Sequence, residues 1–295
     1  QLGAGFKLNI MESIIVKAIN EENLTTTYLV HNDADGTEHY YYKPDGESKY
    51  VSEDGLPYEI KVTGTVGSST CTYTMTDNNG NSKIFNAAGY MTEMRDVNGN
   101  KTVFNYGGGG KLVLISTYPA QNNNDINFVN FNYEGDTLTS VTQGDIICNF
   151  TYSENTDGTP NTLQSVEISK NNVTDGIIDT IEFSYNTDKQ LATVRNVDNN
   201  YSVKVSYEDG VCKELLERTP SRGQSIRMNR ETDKVTKFTM GGKDDLIGTS
   251  DDLLDVYVFD YFGRTICTYT TDVNEQTVYS ASSVGYNSEV NTKKN

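Results

Sequence analysis

Tight turns divide this 295-residue sequence into short segments, because eight Asx-Gly dipeptides are spread along it. Asn, Asp and Gly tolerate the positive φ angles that short hairpin loops require, so an Asx-Gly pair between alternating apolar runs predicts a β-hairpin. The pairs are Asp35-Gly36, Asp45-Gly46, Asp54-Gly55, Asn79-Gly80, Asn98-Gly99, Asp157-Gly158, Asp175-Gly176 and Asp209-Gly210. A chain interrupted this often is expected to fold as successive hairpins.

The segments between these turns alternate as strands do. In Lys101–Tyr106 and Thr180–Tyr185, β-branched or aromatic residues occupy every second position, which is the period of a strand with one packed and one wet face. Residues 6–19 are apolar enough to fit a helix, but the first of them alternate and favour a strand. The predicted fold class is therefore all-β.

A repeating unit emerges from the order of these segments. A strand ends in Tyr or Phe, which we call the anchor; a polar or glycine-rich turn follows, and a second short apolar strand begins. The shorter anchor spacings cluster near 21 residues. Such a hairpin cannot bury its apolar face alone, so stacked antiparallel hairpins in a curved or spiralling sheet are expected. The clearest anchors are Phe85, Tyr106, Tyr185 and Phe259, looser copies start at Tyr42, Tyr133, Tyr152 and Tyr207, and 225–235 holds a degenerate candidate.

One copy, Phe259-Asp260-Tyr261-Phe262-Gly263-Arg264, resembles the YD repeat of RHS-type proteins. The run from Asp96 to Tyr106 is similar to the link between two such repeats, and the resemblance covers about residues 30 to 275. The family includes bacterial wall-associated proteins, polymorphic toxins with their shells, and teneurins. The resemblance implies a β-sheet strip that spirals and often closes into a hollow shell. Most anchors here lack the Asp that follows the Tyr in the family.

Each residue of this best-preserved copy has an expected structural role. Phe259 should pack into the stack, and Asp260 should accept backbone N–H bonds across the turn. Gly263, like Gly89 in the copy anchored by Phe85, should supply a positive φ angle. Arg264 should fold back towards Asp260 or a neighbouring unit.

The charge balance excludes several classes of protein. The chain has 41 acidic and 24 basic residues, a net charge of −17, and so repels phosphate backbones; nucleic-acid binding is not expected. No apolar run approaches the roughly 18 residues that a transmembrane helix needs, so no membrane insertion is expected in this segment. An acidic surface suits solubility outside the cell, and we expect an extracellular, cell-surface or cell-wall location.

Few residues could carry catalysis. The chain has two histidines, His31 and His39, and no pair of cysteines with CxxC spacing, so nucleophilic and zinc-ribbon sites have little support. If residues 34–36 form a three-residue loop, the two imidazoles lie opposite each other and could share a metal with Asp33 or Glu38, although two ligands make a poor site. We predict that the chain is not an enzyme.

Two further groups are candidate binding residues. Three consecutive residues of a strand cannot all face one side, so at least one of Tyr40, Tyr41 and Tyr42 should be exposed and could stack on a ligand. Acidic residues crowd one short stretch, where they form either a calcium site or a solvated insert. These acidic residues are Asp244, Asp245, Asp251, Asp252 and Asp255.

The four cysteines lie far apart in the sequence. Single cysteines inside apolar, strand-like runs are typical of small buried hydrophobic residues, and scattered disulfides are the alternative. The four are Cys71, Cys148, Cys212 and Cys267.

The predicted organisation has three parts: leading strands of the sheet in 1–30, hairpin repeats in 31–275, and a tail or linker to the rest of a larger protein in 276–295. The predicted role is a non-enzymatic scaffold in a large RHS-repeat surface or wall-associated protein of a Gram-positive bacterium, with the other domains of that protein as partners. One alternative is an adhesin module that binds glycans or host proteins through exposed tyrosines. Another is a shell segment of a polymorphic toxin that lacks the toxin domain.

Overall fold

The fold is all-β, as the alternation predicts. The computed structural model describes residues 6–21, 24–121, 125–153, 161–170, 173, 176–219, 223–244, 246–260 and 263–285. These residues contain 23 β-strands and one short 3₁₀ turn at Gly108–Gly110. They contain no helix that is long and apolar enough to span a membrane. The chain divides into two compact units, residues 1–149 and 150–294.

In unit 1 each strand pairs antiparallel with the next along the chain. This meander follows from the short turns, which leave each strand only its immediate neighbour to pair with. The strands are β1 Ser13–Glu21, β2 Leu24–Asn32, β3 Glu38–Tyr42, β4 Lys49–Ser52, β5 Tyr58–Thr63, β6 Thr72–Asp77, β7 Ser82–Phe85, β8 Met91–Arg95, β9 Lys101–Tyr106, β10 Leu112–Tyr118, β11 Asn127–Glu134, β12 Thr137–Gln143 and β13 Ile146–Ser153, which runs past the unit boundary.

Unit 2 is a second antiparallel meander. Its hairpin β19–β20 lies in the region predicted to hold a degenerate repeat, with Thr232-Asp233 in place of the Tyr-Asp pair. The strands are β14 Thr162–Lys170, β15 Ile177–Tyr185, β16 Leu191–Asn196, β17 Tyr201–Glu208, β18 Val211–Thr219, β19 Gly223–Thr232, β20 Val235–Met240, β21 Leu253–Phe259, β22 Thr265–Asp272 and β23 Val278–Ser283.

The start of β1 packs against the β7–β8 turn within unit 1. The Ile14 amide donates to the Gly89 carbonyl at 2.9 Å, and Ser13 forms a bridge with Tyr90. The core of unit 1 includes Leu29, Ile60 and Phe85, all with 0% exposure. Strands β5 and β6 contribute alternate residues to it, because successive strand residues face opposite sides. In β2, by contrast, the consecutive residues 28–31 are all buried, so both faces of this strand are covered.

Among the described residues, unit 2 buries fewer side chains than unit 1. Leu163, Leu254 and Val256 are buried, while most other apolar residues of its strands are half-buried. Val256 on β21 and Thr271 on β22 are both 0% exposed, so the most deeply buried described residues of this unit lie on these two paired strands. The repeat strands of unit 2 are therefore held largely by backbone pairing and by the side-chain bonds described below.

Two predicted boundaries need correction. Residues 6–19 were expected to be a strand throughout, but β1 begins at Ser13, and the Met11 amide instead donates to the Leu8 carbonyl in a turn. Residues 276–295 were expected to be a tail or linker, but Val278–Ser283 pairs with β22 as β23. Val278 and Tyr279 are residue types that favour strands, and the sheet extends beyond residue 275.

Candidate functional sites: the tyrosine ladder, the turns and the histidine cluster

Four anchor tyrosines of the described residues donate their hydroxyl groups to backbone carbonyls of the strand before. The oxygen–oxygen distances are 2.6–2.9 Å. In each pair the tyrosine lies one residue beyond the position opposite the acceptor in the strand register. We call this series the tyrosine ladder. Its pairs are Tyr106 with Met91, Tyr133 with Leu112, Tyr185 with Leu163 and Tyr207 with Leu191.

Burial keeps the ladder hydroxyls protonated. It raises the pKa of Tyr106 to about 12, and the neighbouring phenols of Tyr90 and Tyr133 add to the shift. Burial also raises the pKa of Tyr133, Tyr185 and Tyr207. A phenol whose pKa is raised remains a donor at neutral pH, so each ladder hydroxyl joins one hairpin to the next.

The strand register shifts by one residue beside each of six anchors. The extra residue lies on the second strand of the hairpin, and at two copies it is a threonine: Thr92 donates to the Ile84 carbonyl at 3.2 Å, and Thr139 to the Asn132 carbonyl at 3.1 Å. A β-bulge increases the local right-handed twist, so each repeat twists the sheet at the same place. The six anchors are Phe85, Tyr106, Tyr133, Tyr185, Tyr207 and Phe259.

The turn after the anchor is closed by the side chain that follows it. Asn86 Oδ1 accepts the Tyr90 amide at 3.0 Å, and Asn186 Oδ1 accepts the Gln190 amide at 2.8 Å. Asn can replace the Asp of the family motif here because its side-chain oxygen makes the bond that closes the turn. At Asn186 the side-chain Nδ2 also donates to Gln190 Oε1 at 3.0 Å.

In the best-preserved copy Asp260 Oδ1 accepts the Arg264 amide at 3.0 Å. Asp260 Oδ2 receives the guanidinium at 2.7 and 2.8 Å. Gly263 has φ +78°. The Phe259 ring is half-buried rather than fully packed. Tyr261 and Phe262 lie outside the described residues. The charged pair is held within one turn, and this arrangement is structural.

The turns at the opposite ends of the strands use the same chemistry. Each begins with an Asp whose Oδ1 accepts the amide four residues later, at 2.8–3.2 Å. The run from Asp96 could be recognised in the sequence because it resembles a repeat link. The same Asp-to-Asn turn pattern at Asp77 was missed. The four turns begin at Asp33, Asp77, Asp96 and Asp272.

The last Asn of two of these turns reaches the next connection. Asn81 donates to Asp77 Oδ2 at 2.7 Å and accepts the Val97 amide at 3.1 Å. Asn100 repeats this arrangement, accepting the Ala120 amide at 2.9 Å. This Asn therefore ties successive turns together along one edge of unit 1, as the tyrosine ladder ties successive strands.

The three consecutive tyrosines do not form a shared binding face. Tyr41 is 0% exposed, and among the described residues its hydroxyl has no hydrogen-bond partner. Burial raises the pKa of Tyr41 well above its usual value. Tyr40 is half-buried, with its hydroxyl 3.0 Å from Lys17 Nζ and 2.9 Å from Glu38 Oε2. Tyr42 is half-buried as well. Tyr41 is thus a core residue, which corrects its assignment to a ligand surface.

The two histidines pair across β2 and β3, as the three-residue loop required. Their rings stack with centroids 6.2 Å apart. Each ring contacts its own carboxylates: His31 Nε2 lies 2.7 Å from Glu12, and His39 lies 3.0 Å from Asp33 and 3.5 Å from Asp54. Glu38 pairs with Lys17 instead. The residues predicted to share a metal are therefore held in separate side-chain contacts.

Glu12 connects residues far apart in the sequence. Its carboxylate is 10% exposed and lies 2.7 Å from both His31 Nε2 and Lys83 Nζ. Burial alone would raise the pKa of Glu12, but the hydrogen bonds from His31 and Lys83 lower it overall. This cluster fastens the segment before β1 to β2 and β7.

Glu12→Gln should lower the stability of the protein at pH 7 and reduce its sensitivity to acid. Because the folded pKa of Glu12 is depressed, its contribution is present above the ordinary value near 4.5 and is lost as the pH falls through the folded value. Urea unfolding followed by circular dichroism at pH 7 and pH 4 should show wild type and variant converging at the lower pH. Glu59→Gln is the control, because Glu59 pairs with Lys49 at a half-exposed site. An equal loss at both pH values would contradict the role of Glu12.

The acidic stretch after β20 does not converge on a cation. Asp251 accepts the Lys243 amide at 2.6 Å, and Asp252 accepts the Gly248 amide at 2.7 Å. Asp255 accepts the Thr270 hydroxyl at 2.6 Å. Asp244 likewise accepts a backbone amide, and Asp245 lies outside the described residues. In the part of the chain that the structure describes, no three His, Cys, Asp or Glu side chains are grouped to hold a metal ion. The described carboxylates shape the connection through these bonds, and calcium binding at this stretch stays a prediction.

The cysteines are free thiols. Cys71 is buried, and the other three are half-buried. Burial raises the pKa of Cys148 and Cys212, which keeps both as neutral thiols. The interpretation as small hydrophobic residues fits these positions.

The solved structures that resemble this chain are distant from it in sequence. No protein-family model and no curated protein matches it. The crystal structure of TcdB2-TccC3 is similar over 92% of this chain and 19% of that chain, with 12% identity and a TM-score of 0.40. A Photorhabdus luminescens Tc holotoxin pore with a mutant TccC3 is similar over 88% of this chain and 15% of that chain, with 13% identity and a TM-score of 0.40. The chain spans less than a fifth of either, and scores at this level establish neither a shared family nor a shared activity.

Proposed function

We propose that the chain is a non-enzymatic scaffold segment of a larger RHS-type repeat protein at the outer surface of a bacterial cell. The tyrosine ladder carries this proposal. The anchor tyrosines that define the repeat donate their hydroxyl groups to backbone carbonyls of the neighbouring strand. These hydroxyls therefore join hairpins rather than bind a substrate.

The use of polar side chains at the turns supports the same role. Asp and Asn side chains at both ends of the strands accept backbone amides of their own turns. The two histidines are held by carboxylates on neighbouring segments. One groove of about 440 Å³ in unit 1, between residues 6–11 and the strand ends near Tyr133, is lined by apolar, aromatic and paired charged side chains and has no His, Cys or Ser in its lining.

A shell segment of a polymorphic toxin is the second candidate. The observation that favours it is the contact between the start of β1 and the β7–β8 turn, which bends unit 1 back on itself as a shell wall requires. An adhesin has less support, because Tyr41 is buried and Tyr40 is engaged by Lys17 and Glu38.

Surface labelling of the producing bacterium tests the scaffold proposal. Antibodies raised against the purified chain should label intact cells, and brief protease treatment of intact cells should remove the signal. Labelling that requires lysis would contradict the surface location. Recovery of the protein from the medium around a protease-protected cargo would instead favour the toxin shell, and hydrolysis of a polysaccharide by the purified chain would overturn the non-enzymatic role.

A further inference from the structure

The groove beside the first two rungs of the tyrosine ladder has the lining of a small-molecule site. Its volume of about 440 Å³ lies within the range of ligand pockets, which are mostly apolar and carry a few polar groups. Leu112 and Leu138, each 1% exposed, line it from β10 and β12. Leu8 and Met11 line it from the segment before β1. The groove can therefore hold the apolar body of a small ligand.

The aromatic side chains of this groove are held in place by other contacts. Tyr90 lines the groove, and its ring stacks on Tyr106 with centroids 5.2 Å apart. The Tyr106 hydroxyl is bound in turn to the Met91 carbonyl at 2.8 Å. Tyr133 also lines the groove, and its hydroxyl is bound to the Leu112 carbonyl at 2.9 Å. A ligand would meet rings that are already ordered, which lowers the entropy lost on binding.

A glycine keeps the space beside Tyr90 open. A Cβ atom added at Gly110 would lie 2.7 Å from the Tyr90 hydroxyl oxygen and 2.9 Å from the nearest ring carbon. A Cβ atom added at Gly109, which lines the same groove, would meet no atom of the described residues within 4 Å. The two glycines have almost the same φ, +72° and +73°. A methyl group at residue 110, but not at residue 109, would therefore displace the Tyr90 ring.

The charged residues of the groove favour an anion. They are Lys7, Lys111 and Asp136, a local excess of one positive charge in a chain of net charge −17. Lys7 Nζ donates to the main-chain carbonyl of Asp33 at 2.6 Å, a bond that leaves the ammonium charge in place. Lys111 Nζ lies 2.6 Å from Asp136, whose carboxylate is 83% exposed. Since salt screens charges beyond about 8 Å, these nearby groups outweigh the distant acidic residues.

We propose that this groove binds a small amphipathic anion. The aromatic or aliphatic body of the ligand lies against the leucine and tyrosine side chains, and its carboxylate or sulfonate group lies on the side of Lys7 and Lys111. The proposal goes beyond the scaffold role and does not rest on it, because it follows from the lining of the groove alone.

Fluorescence titration of the purified chain with two matched probes tests this binding. 1-Anilinonaphthalene-8-sulfonate carries the anionic group, and N-phenyl-1-naphthylamine has the same rings without it. The sulfonate should bind saturably, at one probe per chain, and more tightly than the neutral probe. Gly110→Ala should weaken the binding of both probes at least about 10-fold, because the Tyr90 ring is displaced. Gly109→Ala, with the same backbone strain, should bind both probes as wild type does.

A second variant tests the contribution of the charge. Lys111→Met removes the ammonium group and keeps an apolar side chain, so it should weaken binding of the sulfonate about 3- to 10-fold. The same variant should leave the affinity for the neutral probe unchanged. Lys49→Met is the control, because Lys49 pairs with Glu59 at a half-exposed site outside the groove lining. This comparison decides the question even if Gly110→Ala fails to fold.

Three results would overturn the proposal. The first is the absence of saturable binding of the sulfonate by the wild-type chain. The second is wild-type affinity for both probes in folded Gly110→Ala, which would place the probes elsewhere on the protein. The third is equal binding of the sulfonate by Lys111→Met and Lys49→Met, because the groove would then not select an anion.

Discussion

Gly89→Ala should destabilise unit 1 by about 3–5 kcal/mol, because two costs combine at this turn. Gly89 has φ +84°, which strains any residue with a Cβ atom, and an added Cβ would lie 2.0 Å from the Ile14 carbonyl oxygen. That oxygen belongs to backbone and cannot swing aside as a side chain would. Relief of the overlap would break the hydrogen bond that the Ile14 amide donates to the Gly89 carbonyl, and with it the bridge between Ser13 and Tyr90.

Gly263→Ala is the matched control for this substitution. Gly263 occupies the same position of its repeat, with φ +78°, but within the described part of the chain no atom lies within 4 Å of the added Cβ. We expect a cost of only about 1 kcal/mol, from the backbone angle alone. Urea unfolding followed by circular dichroism measures both variants. Equal losses would show that the contact between β1 and the β7–β8 turn is absent in solution.

Phe85→Ala should lower the free energy of unfolding by about 3–5 kcal/mol, the range for truncating a fully buried phenylalanine. The Phe85 ring is 0% exposed and meets His31 edge to face, with centroids 5.9 Å apart. Its loss would leave a cavity beside the buried pair of His31 and Glu12, where water would compete for the same polar groups.

Phe259→Ala, the same position in the best-preserved copy, should cost about 1–2 kcal/mol, because its ring is only half-buried. Thermal melts of the two variants provide the comparison. If Phe259→Ala is as damaging as Phe85→Ala, anchors matter through the repeat motif itself rather than through their burial.

The fold class could be read from local signals. Asx-Gly turns such as Asn98-Gly99 and alternation such as that of Lys101–Tyr106 act within a few residues, and the hairpins form where those signals lie. The pairing of His31 with His39 was expected only if residues 34–36 formed a three-residue loop, because the loop length fixes the register on both sides.

The candidate sites depended on contacts that no local signal carries. Glu12 and Lys83 are 71 residues apart, and only the packing of unit 1 brings them together. Alternation shows that Tyr41 faces away from Tyr40 and Tyr42, but not which face is buried. The hydroxyl acceptors of the tyrosine ladder follow from strand register, which the anchor spacing alone did not give.

The most direct test of the account is removal of the ladder hydroxyls without the rings. Paired variants remove two bonds from each unit: Tyr106→Phe with Tyr133→Phe in unit 1, and Tyr185→Phe with Tyr207→Phe in unit 2. The free-energy contributions of the two hydrogen bonds in each pair should add. The free energy of unfolding, measured with urea, should therefore fall by about 1–3 kcal/mol in each paired variant. Tyr279→Phe, at an exposed ring, should stay within about 0.5 kcal/mol of wild type. If both paired variants unfold with the wild type, the tyrosines only fill space, and the hairpins are not joined by a tyrosine ladder.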